Sequence, residues 1–199
     1  MSKLPPGAST LPLAPWRSPL ARALHRNRSR PDSRYLQLAT VRSDGRPANR
    51  TVVFRGFRDL SDDLLFITDT RSDKVAPLAG HPHAEACWYF TQTREQFRLN
   101  GQLTLVTAAT TDPAWSELRH RLWQAQSEKS RQSFTWPPPS QPRQSAGFDQ
   151  PLPLEPPDPF GLLVLTPTWV DHLELRGTPQ HRYRYDWTGD RWVMAAINP

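Results

Sequence analysis

The chain has 199 residues, a formal net charge of +6 and a pI near 10.1, enough for one domain whose core needs neither disulfides nor a structural metal. The single Cys87 excludes an intrachain disulfide framework, and six scattered His with one Cys offer no ligand pairs at zinc spacing, so no metal is expected. No run approaches the apolar length of a bilayer span and the opening residues lack a signal-peptide core, so a cytoplasmic protein that avoids membranes is the expectation.

Residues 1–15 are rich in proline and small residues and read as a flexible N-terminus; the folded domain is expected to span 16–199. Ser18 as N-cap and Pro19 at the first helical position predict a short helix over Leu20–Asn27 that lays Leu20 and Leu24 on the body of the fold. Strand patterns follow at Tyr35–Val41, Pro47–Phe57 and Leu64–Thr68, with Ser43-Asp44-Gly45-Arg46 as a turn. Arg71–Ala79 allows one or two helical turns capped by Ser72. Ala84–Phe90 and Phe97–Val106 read as further strands.

Asp112–Gln126 is the strongest helix pattern, with Pro113 at its start and Trp115, Leu118, Leu122 and Trp123 near one face. Residues 137–159 form a Pro-rich insertion unsuited to a central strand. Gly161–Thr166, Trp169–Leu175, His181–Trp187 and Arg191–Ile197 complete the strands. Many short strands with a few helices predict a mainly β fold, a closed or half-open antiparallel barrel. No Gly-rich phosphate loop is present, which excludes Rossmann and P-loop readings.

Three segments gather groups suited to a phosphorylated planar ligand. In Arg50-Thr51-Val52-Val53-Phe54-Arg55, alternate residues share a face, and a strand edge there offers backbone donors and acceptors to a heterocycle. Thr68-Asp69-Thr70-Arg71-Ser72-Asp73-Lys74 places cations and hydroxyls around a possible helix N-terminus, which favours an anion; an ordinary capped helix with a solvated charge cluster is the bland alternative. In Arg94–Gly101, the Gln96 amide can both donate to and accept from a ring system. Near the C-terminus, Arg182 and Arg184 share a strand face and can meet a second anion. The basic surplus is spread along the chain, which fits a ligand pocket better than a nucleic-acid surface.

Taken in order, these segments resemble the pyridoxamine 5′-phosphate oxidase family, in particular its FMN-binding cyanobacterial and plant branch, whose Pro-Trp-Arg-Ser-Pro-Leu opening is matched by Pro15–Leu20. The resemblance implies a six-stranded antiparallel Greek-key split β-barrel that forms twofold dimers with FMN held between subunits. It places Arg50, Thr51, Val52, Val53 and Arg55 along the flavin, with Arg55 where the family has a lysine. It assigns Thr68 to the end of the next strand, and Ser72 and Lys74 to the phosphate, with Asp73 replacing an arginine and Arg71 as its substitute. Gln96 and Arg184 correspond to flavin contacts, and Gln144-Ser145 to a later Gln-Ser pair.

The activity implied is oxidation of pyridoxamine or pyridoxine 5′-phosphate, with Arg55 and Arg182 as cationic contacts to a phosphorylated small-molecule substrate. The family's Tyr-x-x-x-Arg-x-x-x-Ser set is not matched on the long helix, where only Ser130 and Arg131 are similar, and Arg182-Tyr183-Arg184 lacks the family's His. Two alternatives therefore stand: an FMN-dependent reductase of another small molecule, or a non-catalytic flavin- or haem-binding split barrel with His81 or His172 as axial ligand.

Overall fold

The computed structural model describes residues 12–199; most of the Pro-rich N-terminal stretch lies outside them. Its strands are β1 (Tyr35–Val41), β2 (Pro47–Val53), β3 (Gly56–Phe57), β4 (Leu64–Asp69), β5 (His83–Phe90), β6 (Glu95–Val106), β7 (Phe160–Glu174), β8 (His181–Trp187) and β9 (Trp192–Ile197). All pairings are antiparallel, in the order β2-β1-β5-β6-β7-β4-β3, with the β8–β9 hairpin branching from the far half of β7. The sheet curls into a half-barrel, and the count rises from the expected six to nine through the two-residue β3 and the β8–β9 hairpin.

Alternation writes the curl into the chain. Along β6 the odd positions Phe97, Leu99 and Leu103 are buried while Gln96, Arg98 and Gln102 are not, as a strand with one covered face requires. Strand β7 departs from this because both its faces are covered at first. Leu163 and Leu165 point into the barrel with Leu36, Leu38, Phe66 and Trp88, whereas Phe160, Leu162 and Val164 meet a second core. It also runs unbroken through Phe160–Glu174, joining the runs Gly161–Thr166 and Trp169–Leu175, because Pro167 is absorbed at a bulge opposite Asn100/Gly101. A Cβ on Gly101 would overlap the Thr166 carbonyl, so the bulge depends on a residue without one.

The second core is roofed by α2 (Pro113–Gln124) and by Phe134, in the 3-10 turn that follows α3 (Glu128–Gln132). Helix α2 starts as expected: Asp112 caps it by accepting from the Ala114 N–H at 2.8 Å, and Trp123 is fully buried against Phe160. Residues 137–159 contain no helix or strand and run across this roof. Prolines bring carbonyls without matching N–H groups, and buried Arg119 answers them, donating to Phe160 O at 2.8 Å, Pro157 O at 2.5 Å and Pro156 O at 3.2 Å. The Trp123 indole donates to Leu154 O at 3.0 Å.

Helix α1 (Arg17–Arg26) begins earlier than expected. Trp16 occupies the cap position without a side-chain cap, and Ser18 and Pro19 lie inside the first turn, which tolerates proline because those N–H groups have no intrahelical acceptor. Leu20 and Ala23 are buried, and Asn27 latches the helix end by donating to Thr93 Oγ1 at 3.0 Å and accepting from the Gln92 N–H at 2.9 Å.

Candidate functional site

The sheet is open between β2 and β4. Strand β2 pairs only with β1, so its other edge faces β4 across a seam that first closes where the Arg55 N–H donates to Leu65 O at 2.9 Å. A cavity of about 320 Å³ fills this seam. Arg50, Thr51, Val52, Val53 and Arg55 form one wall, Ile67, Thr68 and Asp69 the other, and Lys74 and the Ser130–Phe134 turn close it. Seven of the eleven residues expected to hold a cofactor therefore meet in one place.

Its cations are crowded. Arg50 Nη1 donates to Leu38 O at 2.9 Å and to Thr40 Oγ1 at 2.7 Å, which anchors the guanidinium at the barrel end. Burial, and then the like charge of Arg42, push its pKa down. Lys74 Nζ donates to Ser72 Oγ at 2.8 Å; burial and the charge of Arg50 lower its pKa, against the weaker pull of Asp69 and Asp73. At the other end Arg55 is held down by burial and by Arg34, and its Nε is buried without a partner. Two desolvated cations at one end and an arginine with an unused buried donor at the other call for an anionic ligand along the seam.

The remaining expectations fall elsewhere. Arg71 is gripped by Asp69, Nη2 to Oδ2 at 2.7 Å and Nε to Oδ1 at 3.0 Å, and donates to Trp136 O at 3.0 Å, so the structure does not bring it into the cavity. Ser72 caps no helix: only Ala76–Ala79 is helical, as a short 3-10 turn, and the Ser72 hydroxyl donates to Asp69 O at 2.7 Å. No helix dipole therefore faces this site, and its positive potential comes from side chains. Ser72 instead lines an adjoining outer cavity. Gln144 and Ser145 are exposed in the proline segment.

Gln96, Arg182 and Arg184 lie on the outer face of β6–β7–β8. Gln96 pairs with Leu173, which pairs with Arg182, and Asp171 pairs with Arg184, so cross-strand neighbours share that face. Arg182 is held by buried Asp171 through Nη2 at 2.9 Å and Nε at 3.0 Å, and Arg184 by Asp186 at 2.9 Å. None of the three lines the seam cavity. Conversely, Ser133 and Phe134, in the 3-10 turn that follows α3, line it across from β4, a tertiary fact with no local signal.

The histidines also resolve. His172 is buried, stacked on Phe97 at 4.0 Å between ring centroids, with Nε2 3.0 Å from Glu95 Oε2, which leaves no open face for axial ligation. Burial raises the Glu95 pKa, but hydrogen bonds from His172 and Thr93 outweigh it and hold the carboxyl below its usual range. Glu174 reaches the same nitrogen at 3.7 Å, and the three groups lie within 4.8 Å of one another, a set that Cys/His spacing does not reveal. A metal on Nε2 would put the ring proton on Nδ1, which has no acceptor, so the geometry is that of a hydrogen-bonded pair.

A split antiparallel barrel with a basic cavity in its seam defines the class of FMN-binding split-barrel flavoproteins. Residues 13–107 match the family model for the pyridoxamine 5′-phosphate oxidase FMN-binding domain. The chain is 40% identical over 195 residues to pyridoxine/pyridoxamine 5′-phosphate oxidase 2 of Arabidopsis thaliana, covering 94% of this chain and 98% of that one. It is 31% identical over 176 residues to dihydrophenazinedicarboxylate synthase of Pseudomonas chlororaphis, covering 84% and 76%. Among solved structures, a pyridoxamine 5′-phosphate oxidase-related, FMN-binding protein from Nostoc punctiforme superposes with a TM-score of 0.90 at 49% identity, over 95% of this chain and all of that one. The chain belongs to the pyridoxamine 5′-phosphate oxidase family and is an FMN-binding, oxidoreductase-related protein. No helix among the described residues is long and apolar enough to cross a membrane.

Proposed function

We propose that this chain is an FMN-dependent oxidoreductase that oxidises a small anionic substrate, with pyridoxamine or pyridoxine 5′-phosphate as the first candidates. The observation that carries this reading is the distribution of charge along the seam. Arg50 and Lys74 form a phosphate-sized cationic end, the free edge of β2 and Thr68 flank the middle, and Arg55 waits at the far end with an unpaired buried Nε. In this reading Arg50 and Lys74 hold the FMN phosphate, Thr51, Val52, Val53 and Thr68 border the ring, and Arg55 faces the substrate's anion. FMN held there would supply the redox chemistry, hydride acceptance from a substrate carbon and reoxidation by oxygen. The protein's own groups position that carbon and exclude water, and no side chain acts as nucleophile.

The reading includes a homodimer. Gln96, Arg182 and Arg184 face away from the cavity of their own chain, so they reach a flavin only if a second copy lays its β6–β7–β8 face over the seam. The test is complementation: Arg50→Ala and Arg184→Ala chains, each inactive alone, are unfolded, mixed and refolded together. A shared site predicts that random pairing restores roughly a quarter of the wild-type sites, because half the dimers are mixed and each carries one intact site. No recovery, with both variants folded and dimeric, would refute the shared site.

A second reading concerns the substrate. The likeness to a dihydrophenazinedicarboxylate synthase, together with the unmatched Tyr-x-x-x-Arg-x-x-x-Ser set, favours a reduced aromatic carboxylate as the alternative donor. Peroxide release in air with each compound discriminates: the preferred substrate has the higher kcat/KM, and turnover of neither refutes both.

A further inference from the structure

Away from the seam, a cavity of about 360 Å³ opens where three parts of the sheet converge. The turn between β3 and β4 supplies Leu60, Asp62 and Asp63, the β7 bulge supplies Pro167, and the β8–β9 hairpin supplies Trp187 and Trp192. It shares no lining residue with the seam cavity, and the flavin reading gives it no part. Its volume is that of a small-ligand site.

Its walls suit a ligand with an apolar body. Trp187 and Trp192 are both half-buried, and their ring centroids lie 5.7 Å apart at an interplanar angle of 55°, an angled wall rather than a closed stack. Leu13 and Leu60, which also line the cavity, are exposed. Leu60 holds a φ of 55°, a backbone conformation that is costly for a bulky residue.

The polar side is acidic, and its two carboxylates are unequally satisfied. Asp63 accepts from Thr166 Oγ1 at 2.7 Å and from Arg58 Nη1 at 3.3 Å. The Arg58 guanidinium also lies over the Trp115 ring, 4.3 Å from its centroid, so that cation is committed. Asp62 has less. Its two oxygens share one backbone donor, the Ala14 N–H at 3.1 Å from each, although a carboxylate accepts about four hydrogen bonds. Its ion-pair partner Arg17 stays at 3.6 Å, does not line the cavity, and lays its guanidinium 3.2 Å from the Phe57 ring centroid. Burial raises the Asp62 pKa, and the Ala14 N–H, Arg17 and the Trp192 indole do not offset it. A half-buried carboxylate short of positive charge beside two indoles recognises an organic cation: the carboxylate accepts its N–H groups and the rings attract its charge.

We infer that this cavity binds a small primary amine with an apolar or aromatic body, its ammonium on Asp62 and its body against Trp187 and Trp192. Asp62 and Asp63 repel an anion, and a neutral apolar molecule leaves Asp62 uncompensated. The site stands apart from the flavin and does not depend on the flavin reading.

The test is a titration of the full-length chain with phenethylamine, and separately with phenylpropanoate as its anionic counterpart. Binding is followed by heteronuclear NMR of the indole N–H groups, with Trp187 and Trp192 assigned from single Trp→Phe variants. The amine is expected to shift both indole signals saturably with a dissociation constant of about 1 mM or tighter. The anion is expected to bind at least about tenfold more weakly. Asp62→Asn keeps an oxygen for the Ala14 N–H and should weaken the amine about tenfold or more, the loss of one charge-assisted contact. Trp187→Leu should weaken it about threefold or more. FMN affinity, measured by flavin fluorescence, should be unchanged in both variants. Amine binding weaker than about 1 mM, equal affinity for the anion, or an amine affinity unmoved by Asp62→Asn overturns the inference and leaves the seam site standing.

Discussion

Replacing Lys74 by Met tests the phosphate end of the seam. The ammonium is largely desolvated, shares its cavity with Arg50 and donates to one protein group, Ser72 Oγ at 2.8 Å. A charge-assisted bond to a phosphate oxygen contributes about 1.5–3 kcal/mol, or roughly 10- to 150-fold in Kd. The upper half of that range is expected, because the repulsion between Lys74 and Arg50 in the apoprotein is relieved only when the phosphate arrives and therefore adds to the binding energy that Lys74→Met removes. Riboflavin, which lacks the phosphate, supplies the control: its affinity should stay the same or rise slightly. The apoprotein should melt at the same temperature or higher, since a destabilised buried cation has gone. Fluorescence titration with both flavins, together with thermal melts, measures all three quantities. Equal weakening of FMN and riboflavin, or unchanged FMN affinity, would refute the assignment of Lys74 to the phosphate.

Arg55→Gln should lower kcat/KM for an anionic substrate by about tenfold or more while moving FMN affinity little; steady-state kinetics beside flavin titration separates the two effects. FMN affinity should fall on the alkaline side at a lower pH than an ordinary lysine dictates. Lys74 in the free protein is depressed by burial and by Arg50, and an anion favours its charged form, so affinity is complete below the free-state pKa and is lost as pH rises through it. Lys74→Arg should flatten that limb. His172→Leu leaves buried Glu95 with the Thr93 hydroxyl as its remaining side-chain hydrogen-bond donor and should cost about 1–3 kcal/mol in denaturant unfolding, whereas the double change with Glu95→Leu should cost less. Gly101→Ala should destabilise by more than about 2 kcal/mol, because its Cβ meets backbone rather than a movable side chain.

Much of the fold was legible locally. Alternation marked β1 and β6, and Pro113 marked the start of α2. The misreadings share a physical cause, which is that tertiary partners decide between local options. Ser72 looked like a helix cap, yet its hydroxyl is claimed by Asp69 O and Lys74. Arg71 looked free to replace a missing phosphate contact, yet the carboxylate two residues before it closes on it as a fork. The runs Gly161–Thr166 and Trp169–Leu175 were read apart in extent, and a bulge backed by Gly101 joins them into one β7. In the site, contiguous runs such as Arg50–Arg55 were readable because β2 and the two residues after it carry them all. Ser133 and Phe134 were not, since they reach the seam only through the packing of Phe134 in the second core. The Glu95–His172 pair is 77 residues apart in sequence and touches only through the register of β6 on β7.

The central claim is that flavin in this seam takes electrons from an anionic donor beside Arg55. The most direct measurement is to load the protein with FMN, exclude oxygen, add pyridoxamine 5′-phosphate, and follow the visible band of the oxidised flavin. The account predicts that the band bleaches with formation of pyridoxal 5′-phosphate, in proportion to bound FMN, and returns on admitting air. An unchanged band with the flavin demonstrably bound, for this donor and for a reduced aromatic carboxylate alike, would contradict it.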